Sequence, residues 1–182
     1  MTSSPQSITP TLPQLDADCD RCAALCCVAY PFDASEDFAI IKETEDPCPN
    51  LSGSCFGCTI HDHLSNRGFG GCVAYSCAGA GQRVTQDLFH GETWRDDPDL
   101  ISHMSHALRV LRPIHEALLI LKEAAALPLP TEVQNRCQLL IAELCPAAPT
   151  SVWDFEEDSV QSALASVPEF IEGLIAFVPP RG

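Results

Sequence analysis

Positive charge is scarce in this sequence. Ten Lys and Arg face 25 Asp and Glu, giving a net charge of −15 and a pI near 4.5. Phosphate backbones and anionic lipid repel such a polyanion, so neither nucleic acid nor a membrane surface is an expected partner. No run of about 18 apolar residues is present, so no membrane span is expected. Residues 1–18 (MTSSPQSITPTLPQLDAD) lack both a basic start and an apolar stretch. They do not read as a secretory signal, and a cytoplasmic location follows as the expectation. Internal repeats, convincing strands, Ser/His/Asp arrangements and nucleophile elbows are also missing. What is present is 182 residues, 46% apolar and 19% charged. That suits a globular chain of one domain, or of one small domain with a helical annex, and is long enough to bury a core.

Cysteine is the exception to this scarcity. There are eleven, and only Cys137 and Cys145 lie outside the stretch from Cys19 to Cys77. In a secreted protein the pattern would suggest a disulfide framework. In a reducing cytosol, metal ligation fits better. The spacing is Cys19-x2-Cys22-x3-Cys26-Cys27, followed by Cys48, Cys55, Cys58, Cys72 and Cys77. Two thiolates at x2 spacing reach one tetrahedral ion. Adjacent Cys26 and Cys27 point about 100° apart on a helix, which argues for two ions or a polynuclear site. Thiolate-rich sets select zinc, iron–sulfur clusters or Cu(I).

Residues 1–15 read as a flexible tail. Residues 16–80 read as a Cys-rich, loop-rich module organised by metal, with helical turns through Arg21–Cys27, Ser35–Lys42 and His61–Asn66. In the second of these, Asp33 and Glu36 stand at capping-box spacing. Residues 81–182 read as a helical bundle. Its first helix is short, Gln82–Phe89, and ends at Gly91. Asp97-Pro98 opens the longest helix, which carries the stripe Ile101, Met104, Leu108, Leu111, Ile114, Leu118, Leu121 and Ala125. Pro113 should kink it. Another helix is expected from Thr131 to Leu144. A loop over Pro149–Asp154, anchored by Trp153, comes next. Two short helices, Ser159–Ala165 and Val167–Val178, should follow, restarted by a capping box at Ser166–Glu169.

Several segments together resemble a known family. These are Cys-Asp-Arg-Cys-Ala-Ala-Leu-Cys-Cys, Pro47-Cys48-Pro-Asn-Leu51, Cys58-Thr-Ile-His61, Arg67-Gly-Phe-Gly-Gly-Cys72 and Tyr75-Ser-Cys77. They resemble the YkgJ-like cysteine-cluster family, described as zinc- or iron-chelating and also as iron–sulfur proteins. Gly79-Ala80-Gly81-Gln82 and the helices after it are more similar to the Cys-rich N-terminal region of actinobacterial pentapeptide-repeat proteins. The resemblance spans roughly residues 19–95 well and the helical half loosely. It implies a ligand set of Cys19, Cys22, Cys26, Cys27, Cys48, Cys58, Cys72 and Cys77. Eight thiolates suit two four-ligand sites. Cys55 falls outside the pattern and stands as an extra or substitute ligand.

His61 follows Cys58 by three residues and can reach the same ion, with packing as the plain alternative. His63 is the weaker case. His103 and His106 sit i, i+3 on the long helix, with His115 roughly across it, and surface or packing roles suit them better than a metal site. Gly79-Ala80-Gly81 resembles half a dinucleotide fingerprint without its third glycine. Those glycines more simply let the backbone pass close beside Cys77. Cys137 and Cys145 read as small packing residues.

The resulting expectation is a mostly α protein, with the Cys-rich module packed on a small C-terminal bundle. Its function would be zinc or iron binding, with [4Fe–4S] clusters included. The site would be a structural or sensing element in a module that meets a protein partner. An iron–sulfur or polynuclear-iron redox protein or enzyme is the rival reading, and metal storage or delivery a third.

Overall fold

The structure is a computed structural model that describes residues 11–177. Among the described residues it is helical, and the only strand-like pairings are the single bridges Phe32–Lys42 and Leu51–Cys58. The N-terminal half holds α1 (Cys26–Ala29), α2 (Gly70–Ala74) and several 3-10 turns. Next comes α3 (Ala80–Arg83), which widens into a π turn over Val84–Leu88. The rest is α4 (Leu100–Ala125), α5 (Thr131–Leu144) and α6 (Asp158–Gly173).

Helix α4 is the spine, because its apolar period matches the helical repeat. Met104, Leu108, Leu111, Ile114, Leu118 and Leu121 are each 0% exposed. Burial of each such side chain contributes about 1.5–3 kcal/mol. Helix α4 packs against α5 and α6 and also against α1 and α3. Leu25, Val28 and Ala29 therefore share one hydrophobic core with the bundle. The tail expected over residues 1–15 falls mainly on residues 1–10, outside the described residues. Where it reaches Leu15 it does not hold, since that side chain is 6% exposed and belongs to the core.

Other local expectations change for identifiable reasons. Ser35–Lys42 forms no helix. Phe32 and Lys42 exchange backbone hydrogen bonds of 3.0 and 2.9 Å. The Phe32 and Phe38 rings stack at 4.3 Å across the loop. Helix α4 is regular from Leu100, and its entry is held by Asp97, whose Oδ1 accepts the Asp99 N–H at 3.0 Å, while Asp99 itself makes no side-chain cap bond. It runs on through Pro113 as one helix. No break separates the last two helices: α6 continues through Pro168, with the Ser166 hydroxyl donating back to Ser162 O at 2.8 Å. Trp153 is 68% exposed, and the anchor of its loop is fully buried Phe155. Capping by Ser151 and Asp154 aims that turn inward. One stretch, Asp158–Phe177, reaches a span-like composition at 20 residues and mean hydropathy 1.2, with 22% of the window buried. Polar residues from Asp158 to Glu172 interrupt it, so it is not a continuous apolar run. Val160, Ala163 and Val167 pack this helix on the core.

Candidate metal centre

The cysteine segment is held in place by polar side chains reaching into its backbone. Gln82 does this for the approach to Cys19: its Nε2 donates to Asp16 O at 2.7 Å and its Oε1 accepts Asp18 N at 3.1 Å. Between Cys22 and Cys26, Ala23 N donates to Thr85 Oγ1 at 3.1 Å, and Trp94 Nε1 donates to Ala23 O at 2.7 Å. Ala24 then takes a left-handed turn, φ 51°, a conformation costly for a residue with a Cβ. The chain turns the same way at Ala78, φ 49°, directly after Cys77. There His115 Nδ1 donates to Ala78 O at 2.7 Å, and its Nε2 accepts from Arg83 Nη1 at 3.1 Å. Arg83 lies 4.8 Å over the Phe155 ring. From α4, Arg109 donates to Ala29 O and Arg112 to Ser76 O, each at 3.2 Å.

So held, the thiols fall into two adjoining groups. The first is Cys19, Cys22, Cys26 and Cys77. Burial pushes the Cys22 thiol up to about 12, against a hydrogen bond from the Leu25 backbone, and the neighbouring Cys26, Cys77 and Cys19 thiols add to the rise. Cys19 is raised by burial and then by Cys26 and Cys77. The second group surrounds Cys72, whose thiol burial pushes up to about 11, with Cys26, Cys48 and Cys58 contributing. Cys48 N donates to Cys27 O at 2.9 Å, which ties Cys27 to this side. Cys26 belongs to both groups. Its Sγ lies 4.0 Å from that of Cys27, and this contact holds its thiol well above the ordinary value although the residue is exposed.

Two local features bear on a sulfur-bound ion. A Cβ on Gly81 would stand 2.7 Å from Cys22 Sγ and 3.7 Å from Cys77 Sγ, so only glycine leaves room for the sulfurs there. The Tyr75 hydroxyl is buried without a hydrogen-bond partner, and Cys26 and Cys77 are among its neighbours. The Tyr30 hydroxyl is its leading polar neighbour, ahead of the two thiols. The donor set is soft throughout, and thiolates that repel one another are held together most readily by a thiophilic cation. The side chains nevertheless do not close on a point: among the described residues, no three Cys, His, Asp or Glu side chains form a ready metal cage. All eleven cysteines are free thiols.

The remaining candidates sit elsewhere. Cys55 lies at the exposed tip of the Leu51–Cys58 hairpin. Hydrogen bonds, first from the Ser52 hydroxyl and then from Gly57 N–H, hold its thiol below the ordinary value. Arg95 pins this hairpin by donating to Cys55 O at 2.8 Å and Ser52 O at 2.6 Å. His61 faces solvent beside Asp62, its side chain 74% exposed. His106 pairs with Glu156 at 3.1 Å. Cys137 is buried against α4, its Sγ 3.4 Å from Leu121 O, and Cys145 lies near Arg83. The sequence reasoning missed Gln82, Thr85, Trp94, Arg95 and the Arg83–His115 pair. Their roles depend on partners distant in the chain, mostly backbone and, for Arg83, the His115 ring.

The fold and this segment define a helical, cysteine-rich protein. Among proteins of known sequence, the chain is 40% identical over 121 residues to the uncharacterized protein YybG of Bacillus subtilis (strain 168). The match takes in 66% of this chain and 43% of that relative, so the chain spans less than half the relative's length. No protein-family model matches the chain, and no solved structure matches it.

Proposed function

We propose that this chain binds zinc or iron, the latter as ions or as an iron–sulfur cluster. The ligands would be thiolates of Cys19, Cys22, Cys26, Cys27, Cys48, Cys58, Cys72 and Cys77. In this reading the metal organises residues 16–80 and acts as a structural or sensing element, while the acidic surface or helical bundle meets a protein partner in the cytoplasm. One observation supports it: thiols far apart in sequence act on one another, Cys19 and Cys77 on Cys22 and Cys48 and Cys58 on Cys72, with Cys26 acting on both, and Gly81 leaves the room that the Cys22 and Cys77 sulfurs occupy. A structural metal in such a site contributes on the order of 10 kcal/mol to folding. The same sharing of Cys26 favours, as the alternative, a polynuclear iron or iron–sulfur site with a redox role.

Anaerobic purification followed by elemental analysis and a visible spectrum tests both. A colourless protein with about two zinc per chain supports the structural reading. A brown protein with broad absorption supports the redox reading. Cys19–Cys77 thiols largely paired as disulfides after acid-quench alkylation would refute metal binding in either form.

A further inference from the structure

Lys42 is 5% exposed, an unusual position for an ammonium. Its Nζ spends all three protons on carbonyl oxygens: Val28 O at 3.0 Å, Tyr30 O at 2.8 Å and Glu43 O at 2.8 Å. The Phe32 ring covers it, its centroid 5.8 Å away. Among the described residues no carboxylate pairs with it. Carbonyl dipoles satisfy the hydrogen bonds but do not cancel a full buried charge.

The place where this charge sits is informative. Val28 follows Cys27, and the Val28 carbonyl that accepts Nζ also accepts Glu45 N at 2.9 Å. The Cys27 carbonyl next to it accepts Cys48 N at 2.9 Å. Lys42 thus plugs the loop that carries Cys26, Cys27 and Cys48. Burial lowers the Lys42 pKa, and the neighbouring Cys48, Asp46, Cys27 and Cys26 oppose that shift. A divalent ion with four thiolates carries a net charge of −2, so loading such a site places negative charge beside this ammonium.

We propose that Lys42 is the positioning cation of the thiolate centre, offsetting the negative charge of the metal-loaded site while clamping the end of α1. The inference rests on the metal-binding reading above. Its consequence is that metal affinity depends on the charge at position 42, beyond any effect on the fold.

The test compares full-length wild type, Lys42→Gln and Lys42→Arg, each titrated with zinc against a chromophoric chelator. Thermal unfolding is followed with and without metal. Gln keeps two N–H donors without the charge, and Arg keeps the charge. Zinc affinity is expected to fall about tenfold in Lys42→Gln and to stay within about threefold in Lys42→Arg, as removal of an outer partner of a metal site typically does. The metal-induced rise in Tm should shrink only in Lys42→Gln. Equal affinity in wild type and Lys42→Gln, or an equal loss in both variants, overturns the inference and leaves the metal reading intact. A wild type that takes up neither zinc nor iron removes both.

Lysine acetylation read by mass spectrometry needs no variant. The chain has two lysines, Lys42 and exposed Lys122, so the second is an internal control. Lys42 should be protected in the loaded protein and acetylated after chelation. Protection that does not change on chelation counts against the coupling.

Discussion

Acid should destabilise this protein through His115. The side chain is 0% exposed and both ring nitrogens are committed. Nδ1 carries the proton that goes to Ala78 O, and Nε2 offers its lone pair to the Arg83 guanidinium. A second proton would face that guanidinium inside the core. Burial, with Arg83 adding, lowers the folded-state pKa to about 4, although the Ala78 hydrogen bond opposes the shift. The unfolded chain has a value near 6.5. Between these limits the unfolded state binds one more proton than the folded state, so stability falls as pH falls. The loss begins near pH 6.5 and is complete near pH 4. At about 1.36 kcal/mol per pH unit it reaches roughly 3 kcal/mol. Above about pH 7 the term is flat. The assay is urea denaturation from pH 7.5 to 4 of wild type and His115→Asn. Protonation of thiolates and carboxylates is common to both and cancels in the difference. Wild type should be the more stable at pH 7.5, and the gap should narrow or reverse by pH 4. A gap that stays constant with pH would mean that His115 is not held neutral and that the Arg83–His115–Ala78 chain is misread.

Three further outcomes are expected. Cys26→Ser and Cys72→Ser should each lose at least one equivalent of bound metal. Cys137→Ser should keep its full content and lose only about 1–3 kcal/mol for a buried hydroxyl. Metal content per purified chain checks this. Iodoacetamide should alkylate Cys55 first and Cys22 among the last, since one thiol is exposed and lowered while the other is half-buried and raised; peptide mass spectrometry over a time course reads the order. Phe155→Ala should cost about 3–5 kcal/mol in chemical denaturation, while Trp153→Ala should stay within about 0.5 kcal/mol because that ring is exposed.

Periodicity carries local information well where burial is one-sided. The α4 stripe and the α5 span were readable because one helical face meets a core throughout their length. A proline inside a helix was misleading. Pro168 looks like a break, yet packing of Val160, Ala163 and Val167 on the core holds α6 together across it. The segment 35–42 has the composition of a turn of helix. Pairing of Lys42 with Phe32, ten residues away, makes it a loop instead.

The candidate site divides in the same way. Spacing showed that the cysteines are grouped at ligand-like intervals, while the choice of eight of them, with Cys55 set apart, came from the family resemblance. It also marked the glycines beside Cys77 as the place of a close backbone approach, and Gly81 against Cys22 and Cys77 is that approach. Only the tertiary structure decided that the Cys26 and Cys27 sulfurs lie 4.0 Å apart, that Gln82, Thr85 and Trp94 hold the turns between the cysteines, and that Lys42, His115 and Arg83 are buried. Those decisions depend on which distant backbone comes within about 3 Å of a polar side chain. That distance is set by how α4 packs against α1 and α3, which no local window of sequence contains.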